Sequence, residues 1–228
     1  MTMTMKPDQV FELLTDQGLA VDLKWFGEVE YQVSHDAMKE YATTRTEHCP
    51  DELWLLEHPR VYTQGTACDQ STFVDSGIPI VKTDRGGQIT YHGPGQIVMY
   101  VLLNLKRHKL GIKALVAALE QCVIDVLASY DLQSVRRKDA PGVYIDDAKI
   151  AALGLRIRRG NSYHGLSLNI DMDMTPFTNI DPCGYQDLQV AQLSQKLAEQ
   201  SQSSKGDGRS LNTFEVGRML ATRFVELI

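Results

Sequence analysis

The sequence has no hydrophobic run long enough to cross a membrane. Its longest unbroken apolar stretch, Ile97–Leu103, is much shorter than the roughly 20 residues that a spanning helix needs. Residues Met1–Asp8 contain no apolar core of a signal peptide, so we expect a cytoplasmic protein that does not contact membranes. The net charge of -6 at pH 7 argues against general binding to nucleic acids, although it is compatible with a local basic patch.

Cysteine is also scarce. The four cysteines, Cys49, Cys68, Cys122 and Cys183, are widely spaced along 228 residues, and none belongs to a Cys-x-x-Cys pair. A disulfide-stabilised fold would be shorter and richer in cysteine, so we expect reduced thiols. Any one of the four could act as a nucleophile, but an isolated cysteine is more often a small buried hydrophobic residue.

Several widespread catalytic motifs are absent. The sequence has no phosphate-binding Walker loop, no Gly-x-Gly-x-x-Gly after a strand, no His-Glu-x-x-His and no Gly-x-Ser-x-Gly. The six histidines show no spacing that is typical of metal ligands. The sequence therefore predicts neither a metal site nor a cofactor.

The composition is that of a globular protein, with 43% hydrophobic and 23% charged residues. We expect a short leader over residues 1–22, with weak helical spacing at Asp8–Leu14, and then a single domain over residues 23–228. Strand and helix patterns follow one another without regular βαβ alternation. This order predicts an α+β fold, in which a mixed β-sheet is packed with helices.

Hydrophobic periodicity predicts three helices, at Glu28–Thr46, at Ile112–Leu127 and after a capping Ser210. Alternating or continuous apolar segments predict strands. These are a first strand beginning near Lys24–Phe26, then Leu53–Leu56, Ile89–His92, Ile97–Leu103, Gly142–Ile145, Lys149–Ile157 and Tyr163–Ile170. We expect Val61–Gly65 to lead into a turn and Gln200–Gly208 to form an exposed loop.

The segment Arg85–Gln96 is unusual because two glycines open it and Gly-Pro-Gly closes it. Its first three residues could bind an anion through backbone N–H groups and the Arg85 guanidinium, or they could form a tight turn between strands. In the strand between the glycines, Tyr91 and His92 point to opposite faces. One of them could line a pocket while the other packs or meets solvent.

Two neighbouring predicted strands carry small residues, Ala152 and Gly154 in one, Gly165 and Ser167 in the other. Small side chains leave space above a sheet, and an inserted apolar ligand could fill that space. Close packing of a helix against the strands explains the pattern equally well. Residue spacing does not separate these two interpretations.

Cys183 differs from the other cysteines because Pro182 and Gly184 place it in a turn. A thiol on a turn suits exposure in a cleft, but a half-buried loop cysteine shows the same pattern. A nearby ammonium would stabilise the thiolate, since a bare thiol has a pKa of about 8.5. Lys149 begins an apolar strand, where its side chain either reaches solvent from the strand end or is partly buried. Spacing does not place Lys149 beside Cys183.

Residues 135–160 are locally basic, with seven lysines and arginines against three aspartates. A solvated face explains this charge, and so does a surface that docks an acidic protein.

Six segments together resemble the octanoyltransferase family, also called lipoyl(octanoyl) transferases. In family order they are Trp54–Pro59, Arg85–Gln96, Gly142–Tyr144, Lys149–Gly154, His164–Asn169 and Pro182–Gly184. The Arg85–Gln96 segment is the most specific of them, and the later lysine and cysteine strengthen the match. The resemblance extends from about Leu23 to the C-terminal helix, and it leaves out the leader and Gln200–Gly208.

The resemblance implies the catalytic-domain fold of biotin and lipoate protein ligases and an ATP-independent acyltransferase. The family transfers an octanoyl group from octanoyl-acyl carrier protein to a lysine of a lipoyl domain, in 2-oxoacid dehydrogenase complexes or glycine cleavage H protein. By this resemblance Cys183 is the nucleophile that carries the acyl group as a thioester, and Lys149 is its proton-exchanging partner. No cofactor and no nucleic acid are implied, and a monomer is our default expectation.

The resemblance also implies a set of substrate-binding residues. These are Arg85, Gly86, Gly87, Gln88, Ile89, Thr90, Tyr91, His92, Ala152, Leu153, Gly154, Gly165, Leu166 and Ser167. Three other functions remain open at this point: an ATP-dependent lipoate or biotin ligase of the same fold, a non-catalytic module that holds acylated carriers, and a thioester hydrolase.

Overall fold

A computed structural model describes residues 5–68, 77–180, 189–203 and 211–228 and places two β-sheets among them. The strands of the described residues are β1 (Gln9–Leu14), β2 (Ala20–Glu28), β3 (Asp51–Glu57), β4 (Val61–Gln64), β5 (Ile80–Lys82), β6 (Ile89–His92), β7 (Gln96–Leu102), β8 (Val135–Arg136), β9 (Gly142–Ile145), β10 (Ala148–Arg158) and β11 (Asn161–Asn169). Eight strands form the larger sheet in the order β1-β2-β3-β7-β11-β10-β9-β8, and three form a small sheet in the order β5-β4-β6. In the larger sheet β2 and β3 are parallel and the other neighbours are antiparallel, which confirms the predicted mixed sheet.

Helices pack against both faces of the larger sheet. In the described ranges they are α1 (Tyr31–Thr44), α2 (Ile112–Ala128), α3 (Leu193–Ser203) and α4 (Thr213–Glu226). Helices α2 and α4 bury side chains such as Leu119 and Phe224 against one face, whereas α1 buries Met38 against the other. None of the helices in these ranges combines the length and the apolar character that crossing a bilayer requires.

Strand β7 lies inside the larger sheet and is buried on both faces. Ile97 and Met99 point towards α2 and α4, and Val98 and Tyr100 point towards α1. A strand that is covered on both sides carries apolar residues at consecutive positions. This burial explains why Ile97–Leu103 is a continuous apolar run in the sequence.

Helix α2 confirms the amphipathic helix that periodicity predicts at Ile112–Leu127. Leu115, Leu119 and Val126 face the core, and Cys122 is fully buried among them. Burial raises the pKa of the Cys122 thiol well above its usual value, because a thiolate there would lose its hydration. Cys122 is therefore a packing residue.

The N-terminal segment differs from its prediction. Weak spacing at Asp8–Leu14 predicts a helical or loose leader, but Gln9–Leu14 forms strand β1, which pairs antiparallel with β2. The aromatic ring of Phe11 lies 6.1 Å from the ring of Phe214 near the start of α4. Strand β2 spans Ala20–Glu28 and so crosses the predicted boundary between residues 22 and 23. Pairing along a sheet edge and packing on a helix outweigh a weak local spacing.

The C-terminal region also differs from its prediction. Helix α3 extends to Ser203, into the segment that predicts an exposed loop, and it is held to the core by Leu193 and Leu197. Asn212 rather than Ser210 is the N-cap of α4, and its side-chain oxygen accepts a hydrogen bond from the Glu215 N–H at 3.2 Å. Helix α3 has many polar and few apolar residues, so its sequence shows no clear helical periodicity of apolar residues.

Candidate active site

The hairpin of β10 and β11 forms the floor of a cavity on the α1 face of the larger sheet. Ala152 pairs with Ser167 and Gly154 pairs with Gly165 across the two strands, and all four residues line the cavity. Strand β7 adds two larger side chains to the same floor. The walls come from α1, from the small sheet and from the loop that precedes β6.

A tight turn between β10 and β11 determines which side chains face this cavity. Arg158 pairs with Asn161, and Arg159 and Gly160 between them have positive φ angles of 52° and 83°. A two-residue loop with positive φ at both positions is a hairpin turn whose twist matches that of the strands. In the resulting register the small residues face the cavity, whereas Leu153 packs towards the core under α2 and α4.

Gly154 and Gly165 of the floor are required because other parts of the chain lie too close to them for a side chain. A Cβ atom on Gly154 would lie 2.9 Å from Cδ of Arg85, and one on Gly165 would lie 2.0 Å from the carbonyl oxygen of Met99. Neither approach involves a helix packing closely on the strands. The first glycine admits the loop with Arg85, and the second admits the backbone of β7, while the cavity itself remains open above Ala152 and Ser167.

The cavity extends along β10 towards Lys149. Its main part has a volume of about 380 Å³ including its open mouth. A second part of about 310 Å³ shares Thr90, Ala152 and Ser167 with the first and reaches Lys149. Phe177 and Val190 line this second part.

Arg85 is buried in the wall opposite the floor, where its guanidinium is bound within the protein. Its Nη2 donates to the carbonyl oxygen of Thr63 at 2.6 Å and to the Thr63 hydroxyl at 2.8 Å, and its Nη1 donates to the carbonyl oxygen of Gly86 at 3.0 Å. The Gly86 N–H donates to the carbonyl oxygen of Leu155 at 3.1 Å. Residues 85–87 could form either a tight turn or an anion site, and these contacts favour the tight turn.

Neutral aromatic rings form much of the remaining wall. Tyr31 stacks on His92 with ring centroids 5.9 Å apart. Burial lowers the pKa of His92 to about 3 and that of His164 to about 4, because an imidazolium there would lose its hydration. Both imidazoles are therefore uncharged near pH 7. His164 has a positive φ of 60°, in the left-handed region that favours glycine.

A carboxylate joins His164 to α1 behind this wall. Asp84 Oδ1 lies 2.9 Å from His164 Nε2 and 3.2 Å from His35 Nε2, and Oδ2 accepts a hydrogen bond from the Tyr163 hydroxyl at 2.7 Å. These hydrogen bonds, chiefly that from His164, hold the pKa of Asp84 well below its usual range. The ligand atoms of these two histidines and Asp84 lie within 4.8 Å of one another, close enough for a metal ion. Hydrogen bonds between imidazole and carboxylate account for the same arrangement.

Lys149 is buried near the start of β10, which decides between the two interpretations of its side chain. It is 5% exposed, and its Nζ donates to the carbonyl oxygen of Pro141 at 3.2 Å. The ammonium also lies 5.3 Å from the ring centroid of Tyr144. Gly142 makes room for this side chain, since a Cβ atom there would lie 3.1 Å from Cε of Lys149.

Cys183 lies outside the described residues, between Ile180 and Gln189. The chain after this gap is bound to Lys149, because the Lys149 N–H donates to the carbonyl oxygen of Gln189 at 2.8 Å and the Ala191 N–H donates to the carbonyl oxygen of Lys149 at 2.9 Å. The chain before the gap contributes Phe177 to the lining beside Lys149. Described residues on both sides of the gap thus border the same cavity.

Comparisons with known proteins agree with this geometry. Residues 31–215 match the model of the lipoyl protein ligase A/B catalytic domain. An octanoyltransferase of Dechloromonas aromatica is 56% identical over 171 residues, which are 75% of this chain and 83% of that protein. One of a Shewanella species (strain W3-18-1) is 45% identical over 213 residues, which are 93% of each chain. The chain belongs to the octanoyltransferase family.

The fold of the family extends to lipoate ligases with little sequence identity. A bipartite lipoate protein ligase from Thermoplasma acidophilum superimposes with a TM-score of 0.66 at 16% identity, covering 90% of this chain and 82% of that one. This likeness confirms the predicted α+β fold. Membership of the family confirms the predicted enzyme class, a lipoyl(octanoyl) transferase.

Most of the substrate-binding residues that the octanoyltransferase resemblance implies are brought together in one place. Those that line the main cavity are Arg85, Thr90, His92, Ala152, Gly154, Gly165 and Ser167, and the cavity is also bordered at Leu153 and Leu166, whose side chains pack towards the core. Their contact with a substrate stays a prediction.

The other implied residues do not line the described cavity. Ile89 and Tyr91 alternate with the lining residues of β6 and pack in a separate cluster with Tyr62. The Gly87 and Gln88 carbonyl oxygens accept backbone hydrogen bonds from residues after β4, and the Gly86 N–H is bonded to β10. Tyr91 and His92 thus point to opposite faces, with His92 at the cavity.

Among the described residues, sequence reasoning missed four that line the main part of the cavity, namely Tyr31, Val98, Tyr100 and His164. Alternation along the predicted buried strand could have identified Val98 and Tyr100 as sharing a face, but not which face holds the cavity. His164 stands directly before Gly165, and its positive φ is not readable from a strand pattern. Tyr31 is the first residue of α1, and it reaches the cavity only because α1 packs against the sheet.

Proposed function

We propose that this enzyme transfers an octanoyl group from octanoyl-acyl carrier protein to a lysine of a lipoyl domain, through a thioester on Cys183, as a cytoplasmic monomer. One observation carries the proposal: a cavity floored by small residues leads to the buried Lys149, and described residues on both sides of the Cys183 segment border it. Lipoyl domains of 2-oxoacid dehydrogenase complexes and of glycine cleavage H protein are the proposed acceptors.

The lining suits an acyl chain. Ala152, Ser167 and Val98 offer small or apolar surface, and the neighbouring His92 and His164 are uncharged near pH 7. The one arginine of the wall has its guanidinium bound to the protein backbone. An aliphatic chain therefore gains burial there without displacing water from a charged group that lacks other partners.

In the proposed chemistry, the Cys183 thiolate attacks the carbonyl carbon of the thioester, and a tetrahedral oxyanion forms. Backbone N–H groups stabilise the oxyanion. The carrier thiol then leaves with a proton from Lys149, so that the acyl group remains on Cys183 as a thioester. The neutral amine of the target lysine attacks this thioester and Lys149 accepts the amine proton. The bond between the acyl carbon and the Cys183 sulfur then breaks, which regenerates the thiolate and releases the amide product. The donor is already activated, so no ATP is consumed.

The proposed reaction is tested by incubating the protein with octanoyl-acyl carrier protein and an unmodified lipoyl domain in the absence of ATP. Mass spectrometry of the lipoyl domain should show one octanoyl group on its target lysine. Release of free octanoate without an acylated domain would indicate a hydrolase instead. A reaction that requires ATP and free octanoate would indicate a ligase, and binding without turnover would indicate a non-catalytic module.

The acidic carrier protein is proposed to dock on the basic end of β10. Arg156 and Arg158 follow Gly154 on the cavity face of the strand, and both are exposed. Because side chains on one face recur every second residue, they lie about 7 and about 13 Å further along the strand. Their positive charge complements an acidic partner at the mouth of the cavity.

Reversing both charges, in Arg156→Glu with Arg158→Glu, should raise the KM for octanoyl-acyl carrier protein about 10-fold at low ionic strength, with little change in kcat. The difference from wild type should shrink as salt is added, since salt screens exposed charges. Initial-rate kinetics at two ionic strengths measure both effects. A matched control reverses Lys113 and Arg218, which are exposed on α2 and α4 at the other face of the sheet. An equal rise of KM in the control variant would rule out this docking surface.

A further inference from the structure

A chain of buried hydrogen bonds starts at Arg85 and runs along the wall of the cavity. Arg85 Nη2 donates to the Thr63 hydroxyl oxygen at 2.8 Å, and that oxygen lies 3.3 Å from His92 Nε2. His92 Nδ1 lies 2.6 Å from Gln96 Oε1. All four residues are buried, and Thr63 is fully so.

The chain continues to the backbone of Lys149. Gln96 Nε2 donates to Asn169 Oδ1 at 2.8 Å, and Asn169 Nδ2 donates to the carbonyl oxygen of Ala191 at 2.9 Å. The Ala191 N–H in turn donates to the carbonyl oxygen of Lys149 at 2.9 Å. We call the side chains of Thr63, His92, Gln96 and Asn169 the buried relay.

Every link of the buried relay donates in the same direction, from Arg85 towards Lys149. The Thr63 oxygen accepts from Arg85, so its hydroxyl hydrogen can be donated to Nε2 of the neutral His92. His92 then carries its proton on Nδ1 and donates to Gln96, whose amide group donates onwards to Asn169. Hydrogen bonds aligned in this way polarise and strengthen one another.

The relay is also complete, and in this it resembles the buried His58, which is bonded to Val29 and Tyr100, but differs from three other buried histidine sites in the described part of the chain. His35, His108 and His164 each leave a buried Nδ1 atom without a hydrogen-bond partner in that part, whereas both ring nitrogens of His92 are paired. Buried polar groups are costly unless they are satisfied. A fully satisfied, directional chain that links two walls of one cavity fixes their relative position.

We propose that Gln96 and Asn169 are positioning residues, which hold Ala191 and the strand of Lys149 in register with the Arg85 wall. This inference rests on the proposed function only for the part of its test that measures octanoyl transfer. Both side chains also border the part of the cavity that reaches Lys149, but the role proposed here is exerted through their hydrogen bonds within the protein. Their role is to keep the chain that follows the Cys183 segment against Lys149.

The variant Gln96→Glu makes the relay dependent on pH. When the new carboxyl is protonated, its O–H donates to Asn169 and its carbonyl oxygen accepts from His92, so the direction is preserved. When the carboxyl is ionised it can only accept hydrogen bonds. Asn169 then either loses the hydrogen bond that its oxygen accepts or turns its amide group away from Ala191. The new carboxyl is faced by His92 and shares its part of the cavity with Lys149, and the charged and titratable groups around His92 are Tyr31, His58, Arg85 and His164. The new carboxyl should titrate above its usual range, because burial disfavours its charged form.

Octanoyl transfer by Gln96→Glu should stay within about 2-fold of wild type at about pH 5.5 and fall about 10-fold below it at about pH 9, in kcat rather than in KM. The rate of the variant is divided by the wild-type rate at the same pH, so that effects of pH on the reacting groups, which both proteins share, drop out of the ratio. A ratio that stays near one, or a loss that does not change with pH, would overturn the inference.

Amide hydrogen exchange gives a readout that does not depend on activity. At about pH 9, Gln96→Glu should speed exchange in peptides covering residues 189–193 and 149–152 relative to wild type. The control Ser162→Ala removes another buried hydroxyl of β11, which donates to Val101 outside the relay. It should leave exchange at residues 189–193 unchanged. Unchanged exchange in Gln96→Glu would overturn the inference even if octanoyl transfer is confirmed. A wild-type protein inactive in transfer would refute the proposed function, and the exchange result would still decide the relay.

Discussion

Octanoyl-acyl carrier protein should leave one octanoyl group on the wild-type protein, and the substitution Cys183→Ser should abolish this adduct. In the proposed mechanism only a thiolate attacks the donor thioester, and a serine hydroxyl is far weaker as a nucleophile unless a base activates it. Intact-mass spectrometry measures the adduct, and peptide mapping locates it. Transfer to a lipoyl domain should be lost in the same variant.

Cys49 provides the sharpest control for this experiment. Its Sγ accepts a hydrogen bond from the Thr46 N–H at 3.3 Å, and contacts with Thr46 lower the pKa of the thiol. A lowered pKa favours the thiolate form of Cys49, which is the nucleophilic form, but Cys49 does not line the described cavity. Cys49→Ser should keep the full adduct. An adduct that survives in Cys183→Ser and disappears in Cys49→Ser would show that thiol reactivity alone, rather than the cavity, selects the site.

The substitution Lys149→Met should slow formation of the adduct by about 100- to 10,000-fold, the usual contribution of a positioned proton donor or acceptor. Methionine fills a similar volume and removes a buried ammonium, so circular dichroism and the midpoint of thermal unfolding should remain close to wild type. Rapid-quench mass spectrometry measures the rate of adduct formation. A rate within a few-fold of wild type would remove Lys149 from the mechanism.

Lys149→Arg separates the two roles proposed for the lysine. Arginine keeps the positive charge that stabilises a thiolate, but its guanidinium does not give up a proton in proteins. We expect the adduct to form faster than in Lys149→Met, whereas transfer to the lipoyl domain stays slow. Lys196→Met is the matched control, because Lys196 is paired with Asp146 and Glu199 near the surface and should leave both rates unchanged. Identical kinetics in Lys149→Arg and Lys149→Met would argue against proton exchange.

The parts of the fold that were predictable are those in which the local pattern and the tertiary packing agree. Strand β7 is apolar at consecutive positions because both of its faces are covered, and α2 shows a clear apolar face because it lies on one side of the sheet. Strand β1 and helix α3 were not predictable, since each owes its structure to a partner distant in the sequence. Pairing with β2 forms β1, and two leucines hold α3 to the core.

The candidate site was predictable in its residue types but not in its contacts. Small residues on adjacent strands indicate free space, yet the space above Gly154 is filled by Arg85. Arg85 itself reads as an anion-binding group in the sequence, whereas its guanidinium is bound to Thr63 from a strand more than twenty residues earlier. The burial of Lys149 likewise depends on Gly142 and Tyr144 of the next strand, which no spacing rule connects to it.

The turn at Arg159 and Gly160 places an unusual constraint on how this chain can vary. Surface turns generally tolerate inserted or deleted residues. Here a shift of one residue in the pairing of β10 with β11 would exchange the faces of the hairpin, turning Leu153 and Leu166 into the cavity and the small residues into the core. Insertions at this exposed turn therefore act on the volume available to a substrate. Substitution of the floor residues, in contrast, can change that volume while the register of the hairpin is kept.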